Sequence, residues 1–163
     1  MGPESPSDWV ARWAPQVKRG PVLDVASGAG RHARFFAARG LEVVAVDRER
    51  QEIPGVRFVH ADLENGTPWP FAGQRFGAIV VTNYLHRPLF RTIADSLSEG
   101  GVLIYETFMI GNERFGRPSN PDFLLRKDEL VAAFSSLKVL AFEQGEVARP
   151  KPAMTQRICA IRG

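Results

Sequence analysis

The stretch Val22-Leu23-Asp24-Val25-Ala26-Ser27-Gly28-Ala29-Gly30-Arg31-His32-Ala33 (VLDVASGAGRHA) decides how this chain is read. It opens as a short apolar strand and closes as the start of a helix. Between them, Ala26 to Gly30 is a turn nearly bare of side chains. Gly28, Gly30 and Ala33 satisfy the G-x-G-x-x-G/A spacing, in which glycines let the backbone approach a nucleotide-bearing ligand. That spacing does not require Asp24, which stands before the glycines.

Working outward, Ser7 to Lys18 places Trp9, Val10, Trp13 and Val17 at helical spacing. Ser7 or Asp8 can cap this helix and Pro15 ends or kinks it. It is expected to pack on the sheet edge. Val22 to Val25 is the first strand. Gly30 to Arg39 is a helix with Ala33, Phe36 and Ala37 on one face, closed by Gly40. Leu41 to Val46 is the second strand and ends in Asp47. These segments form one β-α-β unit.

Val56 to Val59 reads as a third strand, followed by His60-Ala61-Asp62-Leu63. Asn65 to Gln74 is turn-rich with no helical period. Phe76 to Val81 is a fourth strand, apolar enough to be central. Leu89, Ile93 and Leu97 give a helix over Pro88 to Leu97, and Val102 to Thr107 is a fifth strand. Phe108 to Leu125 has no period, yet carries Phe108, Met109, Phe115 and Phe123 among Gly and Pro. It is too apolar for a linker and reads as a functional loop. Lys127 to Phe134 is a helix. Lys138 to Phe142 and Gln156 to Ile161 are two last strands with no helix between them, expected to pair antiparallel. The alternation describes a doubly wound α/β sheet of seven strands, mostly parallel, with a C-terminal antiparallel hairpin.

In such a sheet ligands bind beyond the carboxyl ends of the strands. Asp24 lies at the end of the first strand, Asp47 closes the second, and Asp62 follows the third. Together they describe an elongated, nucleoside-like ligand. A carboxylate at Asp47 can accept both hydroxyls of a ribose, and one at Asp62 an exocyclic amine. Asp24 would lie near a cationic or amine-bearing end.

Composition bounds the alternatives. The chain has 163 residues, 44% hydrophobic and 24% charged, which suits an ordinary globular domain. Its one cysteine excludes a disulfide framework, and its three histidines lack H-x-x-x-H spacing. No metal site is expected, and a reducing, cytoplasmic compartment is. The opening Met-Gly-Pro-Glu-Ser-Pro-Ser-Asp has no basic region followed by an apolar run, so no signal peptide is expected. No apolar run is long enough to span a bilayer, and a membrane partner is not expected. The net charge of +3 comes mostly from arginines spread along the chain. Without a Lys/Arg block, this reads as a solvated surface rather than a nucleic-acid patch.

Together, "VLDVASGAG", the acid of "VVAVDRE", "HADLE", "FGAIVVTNYLHRP" and "LSEGGVLIYETF" resemble class I S-adenosylmethionine-dependent methyltransferases. The order and spacing match along nearly the whole chain. The small form looks closest to the group related to tellurite-resistance-type methyltransferases. The resemblance implies a Rossmann-like fold, one methyltransferase domain over 1–163, and S-adenosylmethionine as cofactor with S-adenosylhomocysteine as product. It implies that the turn with Asp24, Ala26, Ser27, Gly28 and Gly30 holds the methionine moiety. Asp47, with Arg48 beside it, should bind the ribose. Asp62 and Leu63 should bracket the adenine, and Asn83 to Leu85 should lie beneath the sulfonium. The departure is Ala26, where many members have glycine. Alanine is tolerable there if φ stays negative. The helix after the third strand is missing or reduced.

For the chemistry, His86 in "NYLHRP" is the general-base candidate, since its ordinary pKa suits proton removal near neutral pH. Tyr84 is the other catalytic candidate, lining the methyl site. Arg31 and His32, opening a helix, could meet the methionine carboxylate. Phe108 to Leu125 reads as a lid, with Glu106, Phe108, Arg114 and Arg117 as substrate-binding candidates and an arginine meeting an anionic group. Cys159 reads as a small core residue. A small molecule is the expected acceptor, with RNA or protein as open alternatives, and a monomer or weak homodimer is expected. Two rival readings are an NAD-binding oxidoreductase-like domain and a non-catalytic S-adenosylmethionine binder. Against NAD stand Asp24 before the glycines, the acid after the third strand, and a chain too short to add a substrate domain.

Overall fold

Val22–Val25 forms β1, and all of its residues are buried. A strand apolar on both faces belongs inside a parallel sheet. β1 lies there, parallel to β2 (Val43–Asp47) on one side and to β4 (Phe76–Thr82) on the other. β3 (Arg57–His60) flanks β2, and β5 (Leu97–Phe108) flanks β4, both parallel. β6 (Lys138–Val147) and β7 (Ala153–Ile161) form the antiparallel pair, with β7 inserted between β5 and β6. The seven-stranded order is β3-β2-β1-β4-β5-β7-β6. The chain runs outward from β1 to one side and from β4 to the other, so a crevice opens above their carboxyl ends. This computed structural model describes residues 5–163; the first four residues, part of the segment read above as lacking a leader, lie outside the described residues.

Alternate residues of each strand enter opposite layers. Leu23, Val25, Ile79, Val81, Leu103 and Tyr105 pack with Ile93 of α3 (Phe90–Asp95) and Leu130 of α4 (Glu129–Ala133). Val22, Ala45, Ala78, Val80 and Ile104 pack with Trp9 of α1 (Asp8–Trp13) and Phe36 of α2 (Arg31–Ala38). The buried thiol of Cys159 lies in this second layer, its pKa pushed up to about 12 by burial.

Several boundaries differ from the sequence reading. α1 stops at Trp13 and continues as a 3-10 turn, Ala14–Gln16, that carries Pro15. Ser7 caps α1, its Oγ accepting the Val10 N–H at 3.1 Å. The helix does not pack on the sheet edge. Trp9 is buried, and its indole N–H donates to the carbonyl of Ile158 in β7, an interior strand. Covering interior strands removes more apolar surface from water than an edge could. α3 ends at Asp95, and Leu97, expected to end that helix, instead starts β5 opposite Phe76.

Candidate active site

A cleft opens over the carboxyl ends of β1 to β5. Its walls include Ala26, Asp47, Asp62, Tyr84, Phe108 and Phe123. The turn after β1 is built from left-handed residues. Gly28 has φ 55° and Gly30 φ 88°. A Cβ on Gly30 would lie 2.6 Å from Ile53 Cδ1, whereas one on Gly28 would meet nothing within 4 Å among the described residues. Gly30 is therefore required by packing as well as by φ. Ala26 corrects an expectation: its φ is 55°, not negative. The turn imposes a conformation that costs a non-glycine residue about 1–2 kcal/mol.

Asp47 ties this turn to the end of β2. Its Oδ1 accepts the N–H of Gly28 at 3.0 Å, and its Oδ2 accepts that of Glu49 at 2.9 Å. The Ser27 N–H donates to Val46 O at 3.0 Å, a second tie. Each carboxylate oxygen keeps a lone pair for another donor on the cleft side.

Asp24 is 2% exposed, and burial pushes its pKa up to about 7, opposed by a hydrogen bond from the Ala33 N–H and by the charge of Arg31. Among the described residues, its Oδ2 and the Ser27 Oγ are buried without a hydrogen-bond partner. Orphaned polar atoms of this kind call for a donor or a bound group. They fit the ammonium and carboxylate of an amino-acid moiety.

After β3, the Asp62 carboxylate accepts the Glu64 N–H at 2.9 Å, and Leu63 lies beside it on the wall. After β4, Asn83 takes φ 55°, a left-handed turn that asparagine tolerates, and its N–H donates to Glu106 O. The chain then presents Tyr84 and Leu85 to the cleft. The hydroxyl of Tyr105 donates to the Tyr84 carbonyl at 2.9 Å. The Tyr84 hydroxyl donates to Glu64 Oε2 at 2.9 Å, and burial together with Glu64 raises its pKa above the ordinary range.

Of the residues singled out in the sequence, Ala26, Asp47, Arg48, Asp62 and Leu63 line one part of the cleft, and Asn83, Tyr84, Leu85 and Phe108 another. Asp24, Ser27, Gly28 and Gly30 are not part of the cleft wall, although Gly28 is bonded to Asp47, which is. His86 is not on the wall either; its Nδ1 stands 3.6 Å from Glu64 Oε1. Glu106 is displaced from its expected place at the mouth. Strand alternation turns it away from Tyr105, and its carboxyl, raised by burial, hydrogen-bonds with Ser7. Arg114 donates to Gly111 O and stacks over Phe115, with 5.2 Å from its guanidinium carbon to the ring centroid. Arg117 is exposed, and neither arginine lines the cleft. His32 is also corrected. It is buried, its Nε2 accepts the Ser7 N–H at 3.0 Å, and its Nδ1 lies 3.3 Å from Thr82 Oγ1. Desolvation pushes its pKa down to about 3, so it is a neutral structural group.

Sequence reasoning missed Glu64, Thr107 and Pro118 on the wall, and Arg87 and Glu129 behind it. Arg87 forks onto Glu129 at 2.6 and 2.9 Å and donates to the carbonyls of Asp122 and Leu124, on either side of Phe123. Buried Asn112 donates to Pro118 O and accepts the Met154 N–H, tying the loop to β7. A parallel bridge pairs Met109 with Leu125. Only an acid and a base at suitable positions in the chain, with no local period, could have signalled the Arg87–Glu129 pair.

A sheet in this order, with carboxylates at its switch-point strand ends, defines the class I S-adenosylmethionine-dependent methyltransferase fold. A model of the "Methyltransferase domain" family matches residues 2–118, and the chain belongs to that family. TehB from Haemophilus influenzae superposes with a TM-score of 0.75 at 15% identity, over 94% of this chain and 61% of its own. This chain thus spans under two thirds of that protein's length. The glycopeptide N-methyltransferase MtfA, solved with S-adenosyl-L-homocysteine, gives a TM-score of 0.63 at 20% identity, over 94% of this chain and 88% of its own. A TehB-like SAM-dependent methyltransferase from Corynebacterium glutamicum gives 0.64 at 17% identity, over 92% and 84%. At these identities the likeness is one of fold. No curated protein matches the sequence. No helix among the described residues is long and apolar enough to cross a membrane.

Proposed function

We propose that this protein is an S-adenosylmethionine-dependent methyltransferase that transfers a methyl group in line to a small-molecule acceptor. The observation that carries the reading is Asp47, whose carboxylate is anchored by Gly28 and Glu49 while it lines the cleft. It is the acceptor for ribose hydroxyls. Asp24 and Ser27, each with an orphaned buried oxygen, hold the amino-acid end with the glycine turn. Asp62 and Leu63 bracket the adenine, with Arg48 at its edge. Asn83 and Leu85 lie beneath the reacting sulfur. S-adenosylmethionine supplies an electrophilic methyl on a good leaving group, so no protein nucleophile is needed. What the chain must do is orient the acceptor and exclude water, and orientation alone can contribute about 7–11 kcal/mol.

The acceptor side of the wall, Thr107, Phe108, Pro118 and Phe123, carries no charge. That favours a small acceptor with an apolar body. The loop Phe108 to Leu125 is its lid, tethered by Asn112 and Arg87. The Arg114 and Arg117 side chains lie off this wall, so an anionic group would meet them only outside the cleft. His86 lies off the wall, with its Nδ1 3.6 Å from Glu64 Oε1. A reducing, cytoplasmic setting is consistent with the single buried thiol.

The test is calorimetric titration with S-adenosylhomocysteine and, in parallel, NADH. The expected result is binding of the former that weakens at least about tenfold, near 1.4 kcal/mol, in Asp47→Ala. Binding of NADH alone would overturn the reading. Binding of S-adenosylhomocysteine without turnover of any thiol, amine or hydroxyl acceptor would favour a non-catalytic binder.

A further inference from the structure

Three of the four large hydrophobic side chains that stand exposed among the described residues lie in one loop: Ile110 at 51%, Phe115 at 37% and Phe123 at 54%. Apolar side chains scattered singly are ordinary on a surface, but a group of them marks a contact face. The loop's own bonds gather these three. The Ile110 N–H donates to the Leu125 carbonyl at 2.9 Å, beside the segment that carries Phe123. The Arg114 guanidinium carbon lies 5.2 Å from the centre of the Phe115 ring, and its Nε donates to Gly111 O, next to Ile110. The Asn112 amide donates to Pro118 O at 2.9 Å, which brings Arg117 back to the same turn. Arg114 and Arg117 are exposed, and neither forms an ion pair among the described residues. Elsewhere Arg12, Arg91, Arg149 and Arg157 each face an acid. Glu113, between the two tethers, turns its carboxylate onto the Gly111 N–H.

We propose that this loop is a docking face for the surface of an anionic lipid bilayer, with Ile110, Phe115 and Phe123 entering the acyl boundary and Arg114 and Arg117 meeting headgroup phosphates. The charges match: unpaired cations flank the apolar group, and the whole chain is net positive at +3. Arginine stems lie along apolar surface while their heads stay in water, as Arg114 already does on Phe115. A second copy of this chain fits less well, since a two-fold contact would set the same unpaired arginines against each other. A nucleic acid would leave Ile110, which has no ring to stack on a base, without a role. The absence of a spanning run argued against a membrane partner in the sequence, but it bears on crossing a bilayer, and a surface contact needs no span. Phe123 also lines the cleft, so the face borders its mouth. None of this depends on which cofactor the cleft holds.

The test is co-sedimentation of the whole chain with vesicles of phosphatidylcholine, and with vesicles in which a third of that lipid is replaced by phosphatidylglycerol. Binding is expected to the second alone and to be lost in about 1 M salt, where charges are screened beyond ~3 Å. Arg114→Gln with Arg117→Gln should weaken it about twentyfold, at about fivefold for each charge. Ile110→Ser with Phe115→Ser should weaken it at least about tenfold. Arg75→Gln with Lys138→Gln removes the same charge at the opposite ends of the strands and should bind as wild type. All these side chains but Arg75 are exposed, so the fold should survive, and melting curves check that it does. No binding to either vesicle, or equal binding to both, would overturn the proposal. So would equal weakening by the Arg75 and Lys138 pair, which would make the attraction one of net charge. Binding that ignores the Ile110 and Phe115 pair would refute apolar entry. Displacement of the vesicles by a polyuridine RNA, lost in the same variants, would give the face to nucleic acid instead.

Discussion

The backbone N–H of Gly28 donates to Oδ1 of Asp47 across 3.0 Å, so the residue read as a ribose ligand is also the strut of the glycine turn. The same carboxylate takes the Glu49 N–H through its other oxygen. Replacing it therefore has two effects that can be separated. Asp47→Ala leaves two backbone donors without their acceptor and should lower stability by about 1–3 kcal/mol. Asp47→Asn keeps one acceptor oxygen and should melt closer to wild type. Both should weaken S-adenosylhomocysteine at least about tenfold, because neither offers the ribose a full carboxylate. Melting curves alongside calorimetry check this; full affinity in Asp47→Asn would restrict Asp47 to the strut role.

The three left-handed residues of the turn predict substitutions of opposite sign. Ala26→Gly removes a positive-φ alanine, and the gain of about 1–2 kcal/mol is partly offset by the freer unfolded chain, about 0.4–1 kcal/mol. A net stabilisation is expected in denaturant unfolding. Gly30→Ala adds a Cβ 2.6 Å from Ile53 at φ 88° and should destabilise strongly. Gly28→Ala, with open space around it, should cost only the backbone strain. Equal losses for the two glycines would contradict the packing role of Gly30.

Asp24 and His32 pull the pH dependence of stability in opposite directions. The Asp24 carboxyl titrates at about 7 in the native protein, against 3.8 for an ordinary aspartate. Between those values the native state holds the extra proton, so this contribution is lost as pH rises. His32 titrates at about 3 against 6.5, so there the unfolded state holds the extra proton and the contribution is lost as pH falls. The two slopes nearly cancel between about pH 4 and 6.5. Relative to wild type, Asp24→Asn should gain stability with rising pH, and His32→Asn should lose it. Melting temperatures from pH 4.5 to 7.5 report both. Slopes of the same sign would refute the burial argument for one of them.

The loop from Phe108 to Leu125 is held at separate points, and each should fail separately. Asn112→Ala releases Pro118 and Met154 and should expose the bond after Arg114 to trypsin. Arg87→Met releases the carbonyls of Asp122 and Leu124 and should expose the bond after Arg126. Each tenfold faster cleavage corresponds to about 1.4 kcal/mol of easier opening. Unchanged cleavage in both variants would leave the Met109–Leu125 bridge as the element that holds the loop.

Much of this molecule was legible in the chain by itself. The apolar runs around Leu23, Val44 and Ile79 determined a parallel sheet, because a strand buried on both faces leaves no polar alternation to hide. Gly28 and Gly30 with Asp24, Asp47 and Asp62 marked the place where a ligand is proposed to sit, because strand ends and side-chain-poor turns are local features. Tertiary structure alone decided the rest. It turned Glu106 and His32 inward beneath α1, took Arg114 and Arg117 off the cleft, and imposed a positive φ on Ala26. It also brought Glu64 to Tyr84 and Arg87 to Glu129, pairs separated by 20 and 42 positions. Such contacts leave no periodic mark, since their energy depends on where two loops meet after the sheet has formed.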